Sequence, residues 1–279
     1  MKLSIGLSPC PNDTFIFDAM LHEKIDTEGL CFEPMLEDVE TLNRLAITGT
    51  LDITKVSYGA LARLFHHYRV LDAGSALGKG VGPLFISKKF KDLASLDPDN
   101  TTIVLPGSYT TAHLLFHLAH PEFNKKIFLP FDKIEDAVLN GEADTGVIIH
   151  ENRFTYQDKG LFKLEDLGDT WENNTGFPIP LGGIIAKRHF DISLLRKINR
   201  VIKRSLEYAF ENSSTLPPFV IENAQEMKPE IMRKHIELYV NDYSLGLGSS
   251  GRAAVWKLLE VSSALHPVPQ NSNFEVFVD

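Results

Sequence analysis

Cysteine is nearly missing from this sequence. Cys10 and Cys31 are the only two in 279 residues, too few for a disulfide framework or a four-cysteine zinc site. Two free thiols in a reducing compartment are the expectation. Basic residues are also in deficit: 28 Lys and Arg stand against 37 Asp and Glu, a net charge of −9. A dedicated nucleic-acid binder needs a basic surface to meet phosphates, so that class is set aside. A small anionic ligand is not, because a local pocket can differ in sign from the whole. Nowhere does the chain run to the roughly eighteen apolar residues of a membrane span. Its start also lacks the core of a signal peptide. Lys2 is the single early positive charge, and Ser8, Pro9, Pro11, Asn12 and Asp13 break the apolar run. A cytoplasmic protein without membrane partners is expected, and nothing here sets its oligomeric state. What is present is ordinary for a globular chain: 43% hydrophobic and 23% charged residues. The length suits one large domain or two smaller ones.

Hydrophobic periodicity gives an alternation of strands and helices. LSIGL reads as a strand, TFIFDAMLHEK as a helix and GLCFEPML as a strand. DVETLNRLAIT follows as an amphipathic helix with Val39, Leu42, Leu45 and Ala46 at helical spacing. LDITKVS, the helix SYGALARLFHH and the strand YRVLDAG continue the rhythm. Four glycines in GSALGKGVGP mark a loop before the strand LFISKK. The pattern restarts with TTIVLP, TTAHLLFHLAH, KIFLPF, DKIEDAVLNG and DTGVIIHE. After an irregular stretch rich in Asp, Asn and Gly, PLGGIIAKR returns as a strand. From Ile192 onward the pattern is helical: ISLLRKINRVIKRSLEYAFENS, PEIMRKHIELYVN and SSGRAAVWKLLEVSSAL. Such alternation predicts βαβ units and parallel sheets. One assembly is an α/β fold of two lobes about a central cleft, with LFISKK and GGIIAKR as crossing hinge strands. Residues 1–86 with 188–279 would form the larger lobe and 87–187 the smaller.

In open α/β sheets, ligands sit beyond the carboxyl ends of strands, at helix amino termini. That rule singles out SPCPNDT, KVSYG, LPGSYTT and IIHEN. In LPGSYTTAHLL, Ser108, Thr110 and Thr111 lie where a helix begins, and free N–H groups with the helix dipole favour an anion there. One hydroxyl capping the helix is the plainer alternative. Ser57 has the same two readings, cap or ligand contact, with Lys55 two residues earlier as a point charge for a carboxylate. A nucleophile elbow needs glycine where Lys55 stands, so Ser57 is not read as a nucleophile. Asn12, Asp13 or Thr14 would cap the helix after the stiff double-proline turn, and Cys10 is read as an inert thiol. His150 ends the apolar strand GVII, where an imidazole that titrates near neutrality makes a natural proton acceptor.

Several motifs fail on context. GLGSSG (Gly246–Gly251) matches a dinucleotide fingerprint by letter but follows a helical pattern, not a strand. GSALGKGVG lacks the spacing of a phosphate loop. His113, His117 and His120 share a helix face but have no carboxylate at matching spacing, so a packing or solvated face is the better reading. HEKID lacks the second histidine of a zinc protease.

The opener SPCPNDTFIF, the KVS segment, PGSYTTAHLL and the GVIIHE strand end together resemble the 1,4-dihydroxy-6-naphthoate synthases of the futalosine route to menaquinone. The resemblance runs over essentially the whole chain. It implies a two-lobed fold like type II periplasmic solute-binding proteins, and conversion of cyclic dehypoxanthinyl futalosine to 1,4-dihydroxy-6-naphthoate. It implies no metal or organic cofactor. Carried over by position, it makes His150 the proton acceptor, with Lys55, Val56, Ser57, Thr110 and Thr111 as substrate contacts. Asn12, Thr14 and Ser108 join that set by location alone. Two alternatives stand beside this reading. One is the sister chorismate dehydratase, which lacks the SPCPNDTF opener; the other is a non-catalytic protein that binds a small carboxylate.

Overall fold

The computed structural model describes residues 1–225, 228–263 and 275–278. The chain forms two compact units, Met1–Gly78 with Pro180–Asp279, and Lys79–Ile179. β1 (Lys2–Leu7), α1 (Pro11–Leu21), β2 (Cys31–Leu36), α2 (Val39–Ile47), β3 (Ile53–Ser57), β4 (Tyr68–Val70) and β5 (Ala76–Gly78) open the larger unit. The smaller holds β6 (Leu84–Ser87), β7 (Ile103–Leu105), α3 (Thr111–Ala119), β8 (Lys126–Phe128), α4 (Ile134–Asn140) and β9 (Thr145–Ile148). It continues with α5 (Asn152–Thr155), β10 (Phe162–Asp166) and α6 (Leu167–Thr175). The chain then returns through β11 (Ile179–Lys187) to α7 (Ile192–Glu211), α8 (Pro218–Asn223), α9 (Pro229–Tyr239), α10 (Asp242–Leu245) and α11 (Gly248–Ser263). The last two residues expected in that final helix, Ala264 and Leu265, lie outside the described residues.

Among the described residues the larger sheet has the order β2-β1-β3-β11-β4, with β5 against β11. β1 pairs in parallel with β2 and β3, whereas β11 runs antiparallel to β3 and β4. The smaller sheet has the order β10-β6-β9-β7-β8, in which β7 is parallel to both β8 and β9. Each sheet therefore repeats one topology. The strand after the first helix goes to one side, the next crosses to the other, and a switch point opens between β1 and β3, and again between β7 and β9. Loops leaving the carboxyl ends of those strands must splay apart there, which leaves room for a ligand.

This pairing corrects the expected domain limits, 1–86 plus 188–279 against 87–187. β6 pairs with β9 and β10 and so belongs to the smaller unit. β11 pairs with β3 and β4 and so belongs to the larger. The expected helix over SYGALARLFHH is also corrected: only a 3₁₀ turn, Tyr58–Arg63, forms there. Tyr58 is fully buried and its hydroxyl shares a 2.7 Å hydrogen bond with Ser75 Oγ. This tertiary anchor overrides the helical periodicity. A Cβ on Gly183 would lie 2.4 Å from that hydroxyl, so β11 passes Tyr58 only because it carries glycine there.

Burial explains the helices around the larger sheet. On α7 the residues Leu195, Ile198, Val201, Ile202, Leu206 and Ala209 recur at helical spacing and are all buried. They meet Phe17, Met20 and the sheet residues Ile5, Ile53 and Ile184 in one core. Ser205 lies on the same face because it ties α7 to α1: its hydroxyl donates to the Ile16 carbonyl at 2.6 Å and accepts from the Met20 amide at 3.2 Å. The smaller unit has its own core of Leu84, Ile86, Val104, Ile134, Val138 and Ile148.

Candidate functional site

In the larger unit the turn after β1 and the end of β3 are joined by a buried polar cluster. Pro11 occupies the first position of α1, where its missing N–H costs nothing. Asp13 falls in the first turn and collects four donors. The Ser8 amide (3.0 Å) and Ser8 hydroxyl (2.8 Å) reach its Oδ2, while Asn12 Nδ2 (2.8 Å) and Lys55 Nζ (2.9 Å) reach Oδ1. Lys55 is thus not a bare point charge awaiting an acid; its ammonium is already paired. Ser57 exchanges two hydrogen bonds with Asn43. Its amide donates to Asn43 Oδ1 at 2.8 Å, and its Oγ accepts from Asn43 Nδ2 at 3.1 Å. That leaves the serine proton to donate elsewhere.

Two of the expected contacts are placed inside the unit. Val56 is wholly buried, so only its backbone is near the strand end. Thr14 is wholly buried too, and its hydroxyl donates to the carbonyls of Cys10 and Pro11. The residue that starts α1 is Cys10, with no side-chain cap, so none of Asn12, Asp13 or Thr14 is the cap expected from the sequence. Cys10 itself is buried.

In the smaller unit the amino terminus of α3 follows β7. Thr110 is the cap: its hydroxyl accepts from the His113 amide at 3.2 Å and donates to the Gly107 carbonyl at 2.9 Å. The plain reading therefore accounts for Thr110. Ser108, half-buried, and Thr111, at the first helical position, remain beside the positive end of the helix.

His150 lies on the other side of the same switch point, after β9. The strand stops at Ile148, so the imidazole does not end it as the sequence suggested. It sits in a turn with φ +58°, a left-handed conformation uncommon outside glycine, in which Asn, Asp and His are the most frequent exceptions. Its ring meets Phe131 edge-on with centroids 4.7 Å apart. Two networks brace the helix that follows. Buried Glu135 accepts from Asn152 Nδ2 and Lys159 Nζ, both at 2.6 Å. Arg153 donates to the Gly82 carbonyl and to Asp166 Oδ2, the latter at 2.8 Å, while Asp166 caps α6. A strained residue held between such braces is typical of a functional position.

The three histidines of α3 go separate ways. His113 Nδ1 must donate, since its partner at 2.9 Å is the Ser108 carbonyl. His117 meets Lys126, and His120 Nε2 meets Glu165 Oε2 at 2.5 Å. In the larger unit, a pocket of about 400 Å³ is lined by Gly49, His66, His67, Lys187, Arg188 and His189. It lies at the amino-terminal end of β3, away from Ser57. There Lys187 is paired with Asp52, and Arg188 is bound by the carbonyls of Phe65, Tyr68 and Glu275.

The family model for menaquinone biosynthesis matches residues 3–264. The chain belongs to the menaquinone-biosynthesis family. Among curated relatives of this family, the 1,4-dihydroxy-6-naphthoate synthase of Thermus thermophilus is 41% identical over 262 residues, 94% of each chain. A crystal structure of an Archaeoglobus fulgidus protein superposes with a TM-score of 0.88 at 36% identity, covering 95% of this chain and 97% of that one. A Candida albicans protein described as having the generic periplasmic binding protein fold superposes with a TM-score of 0.70 at 13% identity, over 95% and 91% of the chains. The menaquinone-biosynthesis protein thus has the binding-protein-like α/β fold expected from its sequence. Among its described residues no helix is long and apolar enough to cross a membrane.

Sequence reasoning missed Asp13 as the hub of the larger unit's cluster, and missed Asn43 and His235. Asn43 sits between Leu42 and Ala46 on the buried side of α2, and His235 shares the buried side of α9 with Ile231, Met232 and Ile236. A polar residue inside an otherwise apolar helix face was the available signal in both cases.

Proposed function

We propose that this protein is a 1,4-dihydroxy-6-naphthoate synthase: a cytoplasmic carbon–carbon lyase that converts cyclic dehypoxanthinyl futalosine to 1,4-dihydroxy-6-naphthoate. His150 is the proton acceptor. The observation that carries this reading is the placement of His150 in a braced, left-handed turn beside the β7/β9 switch point, across from the amino terminus of α3. The 41% identity to a synthase of that name supports the choice of substrate.

Ser108 and Thr111, at the positive end of α3, suit the substrate carboxylate. In the larger unit Lys55 is neutralised by Asp13, so with Ser57 and Asn12 it offers hydrogen bonds in place of net charge. His150 takes a proton from the sugar-derived part of the substrate, which releases the carbon–carbon bond, and the new aromatic ring supplies the driving force. The protein's work is then orientation and the holding of one base.

The test uses purified protein with cyclic dehypoxanthinyl futalosine and, separately, chorismate, with products detected by mass. Naphthoate from the first substrate supports the reading. Turnover of chorismate alone, or of neither, overturns it. His150→Ala is expected to lose turnover while retaining substrate binding by calorimetry.

A further inference from the structure

A histidine distant in sequence from every residue of the proposed site is wired into it. His235, on α9, is wholly buried, and its Nε2 lies 2.9 Å from Asn12 Oδ1 across 223 residues of chain. The direction of each bond is fixed by chemistry. Asp13 is a carboxylate and accepts only, so the nitrogen of the Asn12 amide must face it, as the 2.8 Å contact shows. The amide oxygen therefore faces His235, and the imidazole must donate from Nε2. The chain of contacts then runs from His235 to Asn12, from Asn12 to Asp13, and meets Lys55 Nζ on the same Oδ1 at 2.9 Å. His235, Asn12, Asp13 and Lys55 are each at least nine-tenths buried. Without a donor at position 235 the buried Asn12 oxygen loses this partner, and only the Asp13 contact on the nitrogen side still holds the amide among the described residues. An amide that swings to find another donor for its oxygen pulls on Asp13 Oδ1, the atom it shares with Lys55 Nζ.

We propose that His235 is a positioning residue of the reaction: acting through Asn12 and Asp13, it sets where the Lys55 ammonium meets substrate. The role rests on the assignment of Lys55 and Asn12 as substrate contacts. It requires one donor atom, not titration of the ring. Gln can supply that donor; Phe and Met can fill the volume without it.

The experiment compares wild type with His235→Phe, His235→Met and His235→Gln, each also combined with Lys55→Met. Expected for His235→Phe and His235→Met is a rise in KM of about tenfold with kcat within about twofold, because ground-state positioning is lost. His235→Gln is expected to restore KM. In the Lys55→Met background the position-235 changes are expected to add nothing further. A merely structural histidine would lower the yield of active protein and leave KM alone. Unchanged KM in both apolar variants, or effects that multiply with Lys55→Met, overturns the proposal. A crystal structure of His235→Met without substrate keeps the two questions apart. A displaced Asn12 side chain with Lys55 moved relative to Asp13 supports the positioning role even if wild type proves not to make naphthoate. Unmoved side chains refute it even if wild type is fully active.

Discussion

Lys55 Nζ stands 2.9 Å from Asp13 Oδ1, and both side chains are almost entirely out of water. A buried pair of this kind contributes little net stability over a hydrophobic one, yet breaking it is costly, because the partner left behind is an uncompensated charge. Asp13→Ala should therefore destabilise the larger unit by about 3–5 kcal/mol. The double change Asp13→Leu with Lys55→Met should recover most of that loss while abolishing activity. Chemical denaturation of the two variants checks both statements.

Position 150 gives a different balance. With φ at +58°, any residue with a Cβ is strained there by roughly 1–2 kcal/mol. His150→Gly and His150→Ala both remove the imidazole and its Phe131 contact, so their difference isolates the backbone. The glycine variant should be the more stable by about 1 kcal/mol, and both should be inactive. Equal melting temperatures would show that the turn relaxes without cost.

Gly82 and Gly168 press backbone against backbone. A Cβ on Gly82 would sit 2.3 Å from the Gly168 Cα and amide nitrogen, and one on Gly168 would sit 2.7 Å from the Gly82 Cα. Backbone cannot rotate aside as a side chain can, so Gly82→Ala should cost about 1–3 kcal/mol. It should also slow turnover, because the Gly82 carbonyl holds Arg153, three residues beyond His150. Melting curves and steady-state rates on one preparation test the link.

The His120–Glu165 pair predicts a pH dependence in the smaller unit. Burial works against the charged imidazole, but Glu165 and Glu122 outweigh it and hold the His120 pKa above 6.5. Burial likewise opposes the Glu165 carboxylate, yet His120 and Thr170 hold its pKa below 4.5. A raised histidine contributes stability below its unfolded pKa and loses it as pH climbs through the folded value. A lowered carboxyl contributes above its unfolded pKa and loses it as pH drops through the folded value. The pair is thus strongest between pH 4.5 and 6.5. Glu165→Gln should lower the melting temperature most within that window and weaken the fall in stability on its alkaline and acid sides; a curve parallel to wild type at every pH would show the pair is inert.

Legibility from the sequence followed how local each signal was. α2 and α7 were readable because their apolar residues recur every three or four positions within one window, and that periodicity is the physical cause of their burial. β10 and α6 were passed over as an irregular stretch. β10 is an edge strand whose Phe162 and Lys163 face water, so alternation is lost, and Asp166 caps α6 from within a polar run that reads equally well as loop. The 3₁₀ turn at Tyr58 looked helical because its anchor, Ser75, is seventeen residues away.

By itself the sequence determined the α/β class, the family, and the strand ends at which Ser57 lies and after which Ser108, Thr111 and His150 are found. Side-chain period and turn chemistry act over a few residues and leave their mark in composition. Tertiary structure alone decided that Lys55 is neutralised by Asp13, that Thr14 and Val56 are internal, that His150 is bent into a left-handed turn, and that His235 reaches Asn12. Those outcomes depend on which strands and helices pack together. Buried charges and amides must find partners wherever the fold has brought them, and no local pattern records which partner that will be.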